Sequence, residues 1–136
     1  MNKKYKIGIV GLGYVGLPLL VKFSKKYTAL GFDTSKNRVK ELNDGIDRTN
    51  EISNSILEER LQDGLTITDK PDSLASCNIY IITVPTPVTE SKEPNLDFLK
   101  QASITVAKHL KKDDIVIYES TVYPGCTEEF CVPILE

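Results

Sequence analysis

The chain has 136 residues, of which 40% are hydrophobic and 26% are charged, and its formal net charge is −2. This length and balance fit one folded domain with a single core, and they exclude a disordered chain. The small excess of acidic residues argues against a nucleic-acid partner, which would favour a basic surface. Three cysteines without C-x-x-C spacing indicate neither a disulfide framework nor a zinc site, and we expect no bound metal.

The N-terminal region resembles a secretory signal only superficially. A mostly apolar run over residues 7–21 follows two lysines, but glycines and Pro18 interrupt it and no small-x-small cleavage site follows. A secretory core or a membrane span would not be broken so often. We therefore expect a cytoplasmic protein that has no membrane partner.

Strand-like and helix-like patterns alternate along the whole chain. We predict strands over 6–10, 28–33, 65–68, 78–84 and 115–118, and helices over 15–26, 36–43, 53–63, 96–110 and from 127 onward. The fourth and fifth strands are rich in β-branched residues, and we expect both to be buried. The alternation predicts an α/β fold of the Rossmann type, a doubly wound parallel sheet in three layers, forming one domain over 1–136.

The turn after the first predicted strand carries the clearest motif. Gly11-Leu-Gly13-Tyr-Val-Gly16 leads from that strand into a helix, and Asp33 ends the second strand. This pattern is typical of dinucleotide binding: the glycines allow a tight turn, close approach of a pyrophosphate and close helix packing, while the acid accepts hydrogen bonds from a ribose. The alternative is a glycine-rich turn of purely structural use, with Asp33 as a cap.

The acid also bears on the choice of cofactor. The charge of Asp33 would repel a 2′-phosphate, which favours NAD over NADP. Arg38 leaves the alternative open because arginine can hold a phosphate; otherwise it is a surface charge at the start of a helix.

Two further loops follow strands and should reach the same edge of the sheet, 84–87 and 119–124. The Thr86 hydroxyl, framed by prolines, can contact a cofactor or belong to a turn without a ligand. Ser120 is disfavoured as a triad nucleophile because the one histidine, His109, falls late in a helix. Cys126 and Cys131 are five residues apart, so we do not expect them to share a helix face. All three cysteines are expected to fill space in the core.

Together these stretches carry a specific resemblance. The segments 7–18, 31–33 (Gly-Phe-Asp), 84–87 (Val-Pro-Thr-Pro) and 119–125 (Glu-Ser-Thr-Val-Tyr-Pro-Gly) resemble the N-terminal NAD-binding domain of the UDP-glucose/GDP-mannose 6-dehydrogenase family. The resemblance covers essentially the whole chain. The stretch 123–129 is most similar to the branch that acts on UDP-N-acetylhexosamines for surface polysaccharides.

The resemblance implies an oxidoreductase that oxidises C6 of a nucleotide sugar twice, from alcohol to carboxylate, with two NAD. It implies that Thr121 lies near the reacting carbon and positions a water or an intermediate. Motif and resemblance together give the expected cofactor-binding residues: Gly11, Gly13, Tyr14, Val15, Gly16, Asp33, Arg38, Val84, Pro85, Thr86, Glu119, Ser120 and Thr121.

The same resemblance implies that important parts lie elsewhere. The family's nucleophilic cysteine, its helper lysine and asparagine, and the central helix of its homodimer all lie beyond the cofactor domain, and neither Cys126 nor Cys131 falls in the matching motif. We therefore expect a fragment that binds NAD without turnover. Two alternatives stay open: a non-enzymatic dinucleotide-sensing module, which would not explain the 84–87 and 119–121 loops, and the first domain of another sugar-acid or hydroxyacid dehydrogenase.

Overall fold

The computed structural model describes residues 5–119 and 126–136. Strands and helices alternate in the predicted order. They are β1 (Lys6–Val10), α1 (Gly16–Ser24), β2 (Thr28–Phe32), α2 (Lys36–Asn43), α3 (Asn54–Gln62), β3 (Thr66–Thr68), β4 (Ile79–Ile82), α4 (Asp97–Ala107), β5 (Ile115–Tyr118) and α5 (Val132–Leu135). A 3₁₀ helix over Pro71–Ser76 precedes β4, and a π-helical turn over Thr127–Cys131 leads into α5.

The five strands form one parallel sheet in the order β3-β2-β1-β4-β5. The central strand β1 pairs with β2 on one side and with β4 on the other, so that Ile9 lies between Gly31 and Ile81. The chain therefore winds outward from β1 in both directions. The carboxyl ends of β1 and β4 flank the switch point, where ligands bind in sheets of this kind. This order confirms the predicted Rossmann-type fold.

Both faces of the central strands are buried. Along β1 and β4, Ile7, Ile9 and Ile81 belong to one apolar cluster, whereas Tyr80 and Ile82 belong to another. Side chains alternate between the two faces of a strand, so each cluster is the core on one side of the sheet. Burying one such aliphatic side chain contributes about 1.5–3 kcal/mol, which explains why these strands read as continuous apolar runs.

Local signals set the helix boundaries. The Ser35 hydroxyl accepts the Arg38 amide at the start of α2, and the Ser53 hydroxyl accepts the Ile56 amide at the start of α3. Gly64 follows α3 with a φ of +102°, a conformation that side chains with a Cβ rarely adopt. These local signals account for the bounds of α2 and α3, which agree with the predicted helices over 36–43 and 53–63 to within one residue.

The fifth strand differs from the prediction. Its residues alternate between exposed and half-buried, and Ile115 and Ile117 are 49% and 38% exposed. The expectation of a buried strand is wrong because, within residues 5–119 and 126–136, β5 lies at the edge of the sheet and pairs only with β4.

The segment after the undescribed residues corrects a second expectation. Cys126 and Cys131 are both fully buried in the same apolar cluster, against which the half-buried Tyr118 packs. The turn over Thr127–Cys131 is π-helical, and its wider repeat pairs residues five apart instead of four. Two cysteines with that spacing therefore do share a face. Cys77 is buried as well, as expected for residues that fill space. No helix within 5–119 or 126–136 is long and apolar enough to cross a membrane.

Candidate functional site

The glycine turn at the end of β1 is held from both neighbouring strands. Gly11 has a φ of +103°, and its amide donates to the Phe32 carbonyl at the end of β2 (2.8 Å). On the other side, the buried Thr83 hydroxyl donates to the Gly11 carbonyl (2.6 Å). The turn is therefore fixed in place without any ligand contact. Sequence reasoning missed Thr83, which the pattern of a strand end did not distinguish from its neighbours.

The other two glycines of the motif differ in their surroundings. A Cβ on Gly16 would lie 1.8 Å from the Gly11 carbonyl oxygen and 2.5 Å from the Thr83 hydroxyl, so no larger residue fits where α1 meets the sheet. A Cβ on Gly13 would meet no atom within 4 Å. Gly16 serves the packing of the protein, whereas Gly13 leaves open space beside the backbone at the start of α1.

Asp33 contacts the same turn. One carboxylate oxygen accepts the Leu12 amide (2.9 Å) and the other accepts the Ser35 amide (2.9 Å). The side chain is only partly buried, and each oxygen retains a further acceptor site. The carboxylate thus joins the end of β2 to the glycine turn and can still accept hydrogen bonds from a bound molecule.

Arg38, in the first turn of α2, is not the surface charge that one interpretation of the sequence offered. It is 9% exposed, and its Nε donates to the Leu12 carbonyl (2.8 Å). Its Nη1 donates to Glu41 and to Asp47, each at 2.9 Å. Within the part of the chain that the structure describes, its buried Nη2 has no hydrogen-bond partner.

Asp47 organises the loop between α2 and α3, and sequence reasoning did not single it out. Its fully buried carboxylate accepts from Arg38, from the amide and hydroxyl of Thr49, and from the amides of Glu51 and Ile52. Burial alone would raise the pKa of this carboxyl, but the hydrogen bonds from Thr49, Ile52 and Arg38 lower it to about 2. An aspartate followed two residues later by threonine is a local turn signal that could have drawn attention to it.

A cavity of about 610 Å³ lies at the switch point, between the carboxyl ends of β1, β2 and β4 and the side of α4. Helix α4 supplies one wall, which the sequence did not predict as part of a site: Phe98, Gln101, Ala102 and Thr105. Phe98 is 51% exposed, so its ring offers an apolar surface to an incoming ligand. These four positions repeat at helical spacing, but without the sheet no pattern shows what they face.

The cavity collects six of the eleven expected cofactor-binding residues that the structure describes. Six line it: Gly11, Gly13, Asp33, Arg38, Val84 and Pro85. Five do not, namely Tyr14, Val15, Gly16, Thr86 and Glu119. Of these, Tyr14 and Val15 are 68% and 50% exposed just before α1. The expected positions of Ser120 and of the catalytic candidate Thr121 lie outside the described residues.

The residues present fit a dinucleotide. Open space at Gly13 admits a diphosphate to the amides at the start of a nine-residue helix, and partly buried Asp33 stands where a ribose would lie. The fold and the site together define a dinucleotide-binding domain of the Rossmann type. The chain belongs to the UDP-glucose/GDP-mannose dehydrogenase family, whose NAD-binding-domain model matches residues 5–136.

Individual relatives agree with this assignment. The chain is 54% identical over 134 residues to a UDP-N-acetyl-D-glucosamine 6-dehydrogenase of Pseudomonas aeruginosa, covering 98% of this chain and 31% of that protein. It is 47% identical over 136 residues to Protein CapL of Staphylococcus aureus, covering 100% of this chain and 31% of that protein. The solved structure of a UDP-D-ManNAc dehydrogenase from Pyrococcus horikoshii superposes with a TM-score of 0.88 at 35% identity, covering 95% of this chain and 31% of that one.

The chain thus spans about 31% of the length of these relatives. Family membership favours the dehydrogenase hypothesis over a sensor module and over a dehydrogenase of another family.

Proposed function

We propose that this chain is the cofactor-binding part of an NAD-dependent nucleotide-sugar 6-dehydrogenase, one that oxidises C6 of a UDP-N-acetylhexosamine to the uronic acid for polysaccharide biosynthesis. The observation that carries the proposal is the cavity at the switch point, where the glycine turn, Asp33 and Arg38 meet. The 54% identity to a UDP-N-acetyl-D-glucosamine 6-dehydrogenase supports the choice of substrate class.

Each part of the cavity has a role in holding the cofactor. The amides of the turn beyond Leu12, from Gly13 to Gly16, face the diphosphate, aided by the helix dipole of α1. The Asp33 carboxylate accepts from the ribose of the adenosine half. The exposed ring of Phe98 offers a stacking surface for adenine. Two loops follow β4 and β5, and we assign both to the nicotinamide half of the cofactor. The first carries Val84, Pro85 and Thr86, and the second carries Glu119, Ser120 and Thr121.

The overall reaction converts the C6 alcohol, two NAD⁺ and one water into the carboxylate, two NADH and three protons. NAD supplies a hydride acceptor in both oxidations. Within this chain, we assign to Thr121 the positioning of a water or an intermediate at C6. The nucleophilic cysteine of the second oxidation is expected outside these 136 residues, so the chain binds NAD and does not complete the reaction.

The whole protein is proposed to work in the cytoplasm as a homodimer or a larger homo-oligomer. Three buried free cysteines, Cys77, Cys126 and Cys131, suit a reducing compartment. Light scattering on the full-length protein tests its oligomeric state.

Two measurements test the proposal. Calorimetric titration of the 136-residue chain with NAD should give saturable binding at one site, and no detectable binding would overturn the assignment of the cavity. A full-length protein that contains this chain should then produce two NADH for each UDP-N-acetylhexosamine consumed. A clear preference for GDP-sugars would contradict the substrate class. Steady NADH production by the 136-residue chain alone would contradict the expected lack of turnover.

A further inference from the structure

Arg38 lines the cavity, but its guanidinium already pairs with two carboxylates of the protein. A guanidinium has five N–H donors, and here one on Nε reaches the Leu12 carbonyl while Nη1 reaches Glu41 and Asp47. Both carboxylates are nearly buried, at 13% and 0% side-chain exposure. Its buried Nη2 has no hydrogen-bond partner within the described residues, but the positive charge of Arg38 is already balanced by two carboxylates that do not line the cavity.

Asp47 holds this arrangement although it does not line the cavity. Its carboxylate is fixed by the amides of Thr49, Glu51 and Ile52, so it cannot follow the guanidinium if Arg38 moves. Glu41 is shared with Arg48, whose side chain is 71% exposed. Asp47 is thus the more rigid of the two acidic partners.

The charge that remains at the ribose end of the cavity is that of Asp33, which lines the cavity and is partly exposed. A 2′-phosphate placed there would meet this carboxylate. The neighbouring guanidinium of Arg38 is already paired with the carboxylates of Glu41 and Asp47. A 2′-hydroxyl would instead find an acceptor. Electrostatic discrimination of this kind depends on keeping Arg38 where it is.

We propose that Asp47 is a positioning residue for cofactor choice: by pairing with Arg38 from behind, it withholds that guanidinium from a 2′-phosphate and so sets the preference for NAD over NADP. This inference rests on the proposed binding of NAD in the cavity. It assigns the selectivity to a residue of the α2–α3 loop as well as to Asp33.

The test is calorimetric titration of the 136-residue chain and its variants with NAD and with NADP separately. Asp47→Asn keeps the size of the side chain and one of its two acceptor oxygens but removes its charge. We expect the ratio of the NADP to the NAD dissociation constant to fall by about tenfold, chiefly through tighter NADP binding. A residue that only supported the fold would weaken both cofactors together and leave that ratio unchanged.

Asp44→Asn is the matched control. It removes the same charge nearby, from a side chain that is 54% exposed and pairs with Lys40 instead of Arg38. We expect its ratio to stay within about twofold of the unmodified chain, because exposed pairs are weak and screened. If folded Asp47→Asn gives the same ratio as Asp44→Asn, the inference is overturned.

Glu41→Gln decides the matter if Asp47→Asn does not melt cooperatively. It removes the other acidic partner of Arg38 and leaves Asp47 in place, so we expect the ratio to stay within about twofold of that of the unmodified chain. A fall of about tenfold would mean that Glu41 and not Asp47 withholds Arg38, and it would overturn the inference. Failure of the unmodified chain to bind either dinucleotide would instead refute the proposed function. The two failures are therefore distinguishable.

Discussion

The amide of Leu12 donates to the Asp33 carboxylate at 2.9 Å, and this contact ties the side chain that follows β2 to the middle of the glycine turn. The carbonyl of Leu12 in turn accepts a hydrogen bond from Nε of Arg38 at 2.8 Å. The turn is thus preorganised by the two side chains that are also expected at the cofactor. Preorganisation of this kind lowers the ordering cost of binding, since the loop does not have to be arranged by the ligand.

Replacement of Asp33 should separate its two roles. We expect Asp33→Ala to weaken NAD binding by about 10- to 100-fold, because a hydrogen bond to a charged group is lost along with the contact to Leu12. Asp33→Asn should bind NAD more weakly than the unmodified chain and discriminate less against NADP. Calorimetric titration measures both, with Asp72→Asn, a fully exposed acid outside the cavity, as the control. Unchanged NAD affinity in Asp33→Ala would contradict the assignment.

Gly13 and Gly16 should respond to alanine in opposite ways. In Gly16→Ala the new methyl would lie 1.8 Å from the Gly11 carbonyl oxygen, so we expect a loss of stability of about 3 kcal/mol or failure to fold. Gly13→Ala meets no atom within 4 Å and should change the free energy of unfolding by less than about 0.5 kcal/mol. It should nevertheless weaken NAD binding, because the methyl occupies the space left for the diphosphate.

Urea denaturation and calorimetry check this pair. Each variant serves as the control for the other, since the chemical change is identical. Loss of folding in Gly13→Ala would contradict the expected tolerance of a methyl group at this position. Normal NAD affinity in a stable Gly13→Ala would show that the open space has no part in binding.

The Thr83 hydroxyl should contribute both to the stability of the chain and to its affinity for NAD. Thr83→Val keeps the shape of the side chain but removes the bond of 2.6 Å to the Gly11 carbonyl at a position that is 8% exposed. We expect a loss of about 1 kcal/mol in the free energy of unfolding, together with weaker NAD binding from a less ordered turn. Thr66→Val, on the exposed side of β3, is the matched control and should change neither quantity. Equal behaviour of the two variants in urea denaturation would rule out this role.

How much of the site was predictable depends on the distance along the chain over which each contact acts. The glycine turn and Asp33 follow from a local strand-turn-helix pattern, and the structure places them at one edge of the sheet. Burial of Arg38 could not be read from α2, because its partner Asp47 lies in a loop whose own hydrogen bonds are irregular. The wall formed by Phe98 arises only when α4 packs across the sheet, which is a tertiary contact.

The fold was more predictable than the site for a related reason. Apolar alternation, caps at Ser35 and Ser53 and a glycine stop are local signals, and each agrees with the others. Exposure of β5 depends on which strands flank it, and the shared face of Cys126 and Cys131 depends on a π-helical turn. Neither is encoded in the periodicity of the segment itself.

The buried ion pair of Arg38 and Asp47 should make the free energy of unfolding depend on pH. The pKa of Asp47 is lowered from 3.8 to about 2 in the folded chain, so its ionised form stabilises the protein above pH 4, and this contribution is lost as the pH falls from about 4 to 2. The shift corresponds to about 2 kcal/mol. Asp47→Asn cannot be protonated in this range, so the difference in unfolding free energy between the unmodified chain and this variant should be largest near pH 6. It should narrow by about 2 kcal/mol towards pH 2.5.

Urea denaturation at several pH values measures this difference. Asp44→Asn is again the control: the Asp44 carboxylate is exposed and its pair with Lys40 is weak, so this substitution should change the free energy of unfolding little. If the difference in free energy of unfolding between the unmodified chain and Asp47→Asn stays constant from pH 6 to pH 2.5, the Asp47 carboxylate does not stabilise the fold through its charge. Asp47 would then contribute only by accepting hydrogen bonds from Thr49, Glu51 and Ile52, and Glu41 would be the main partner that holds Arg38.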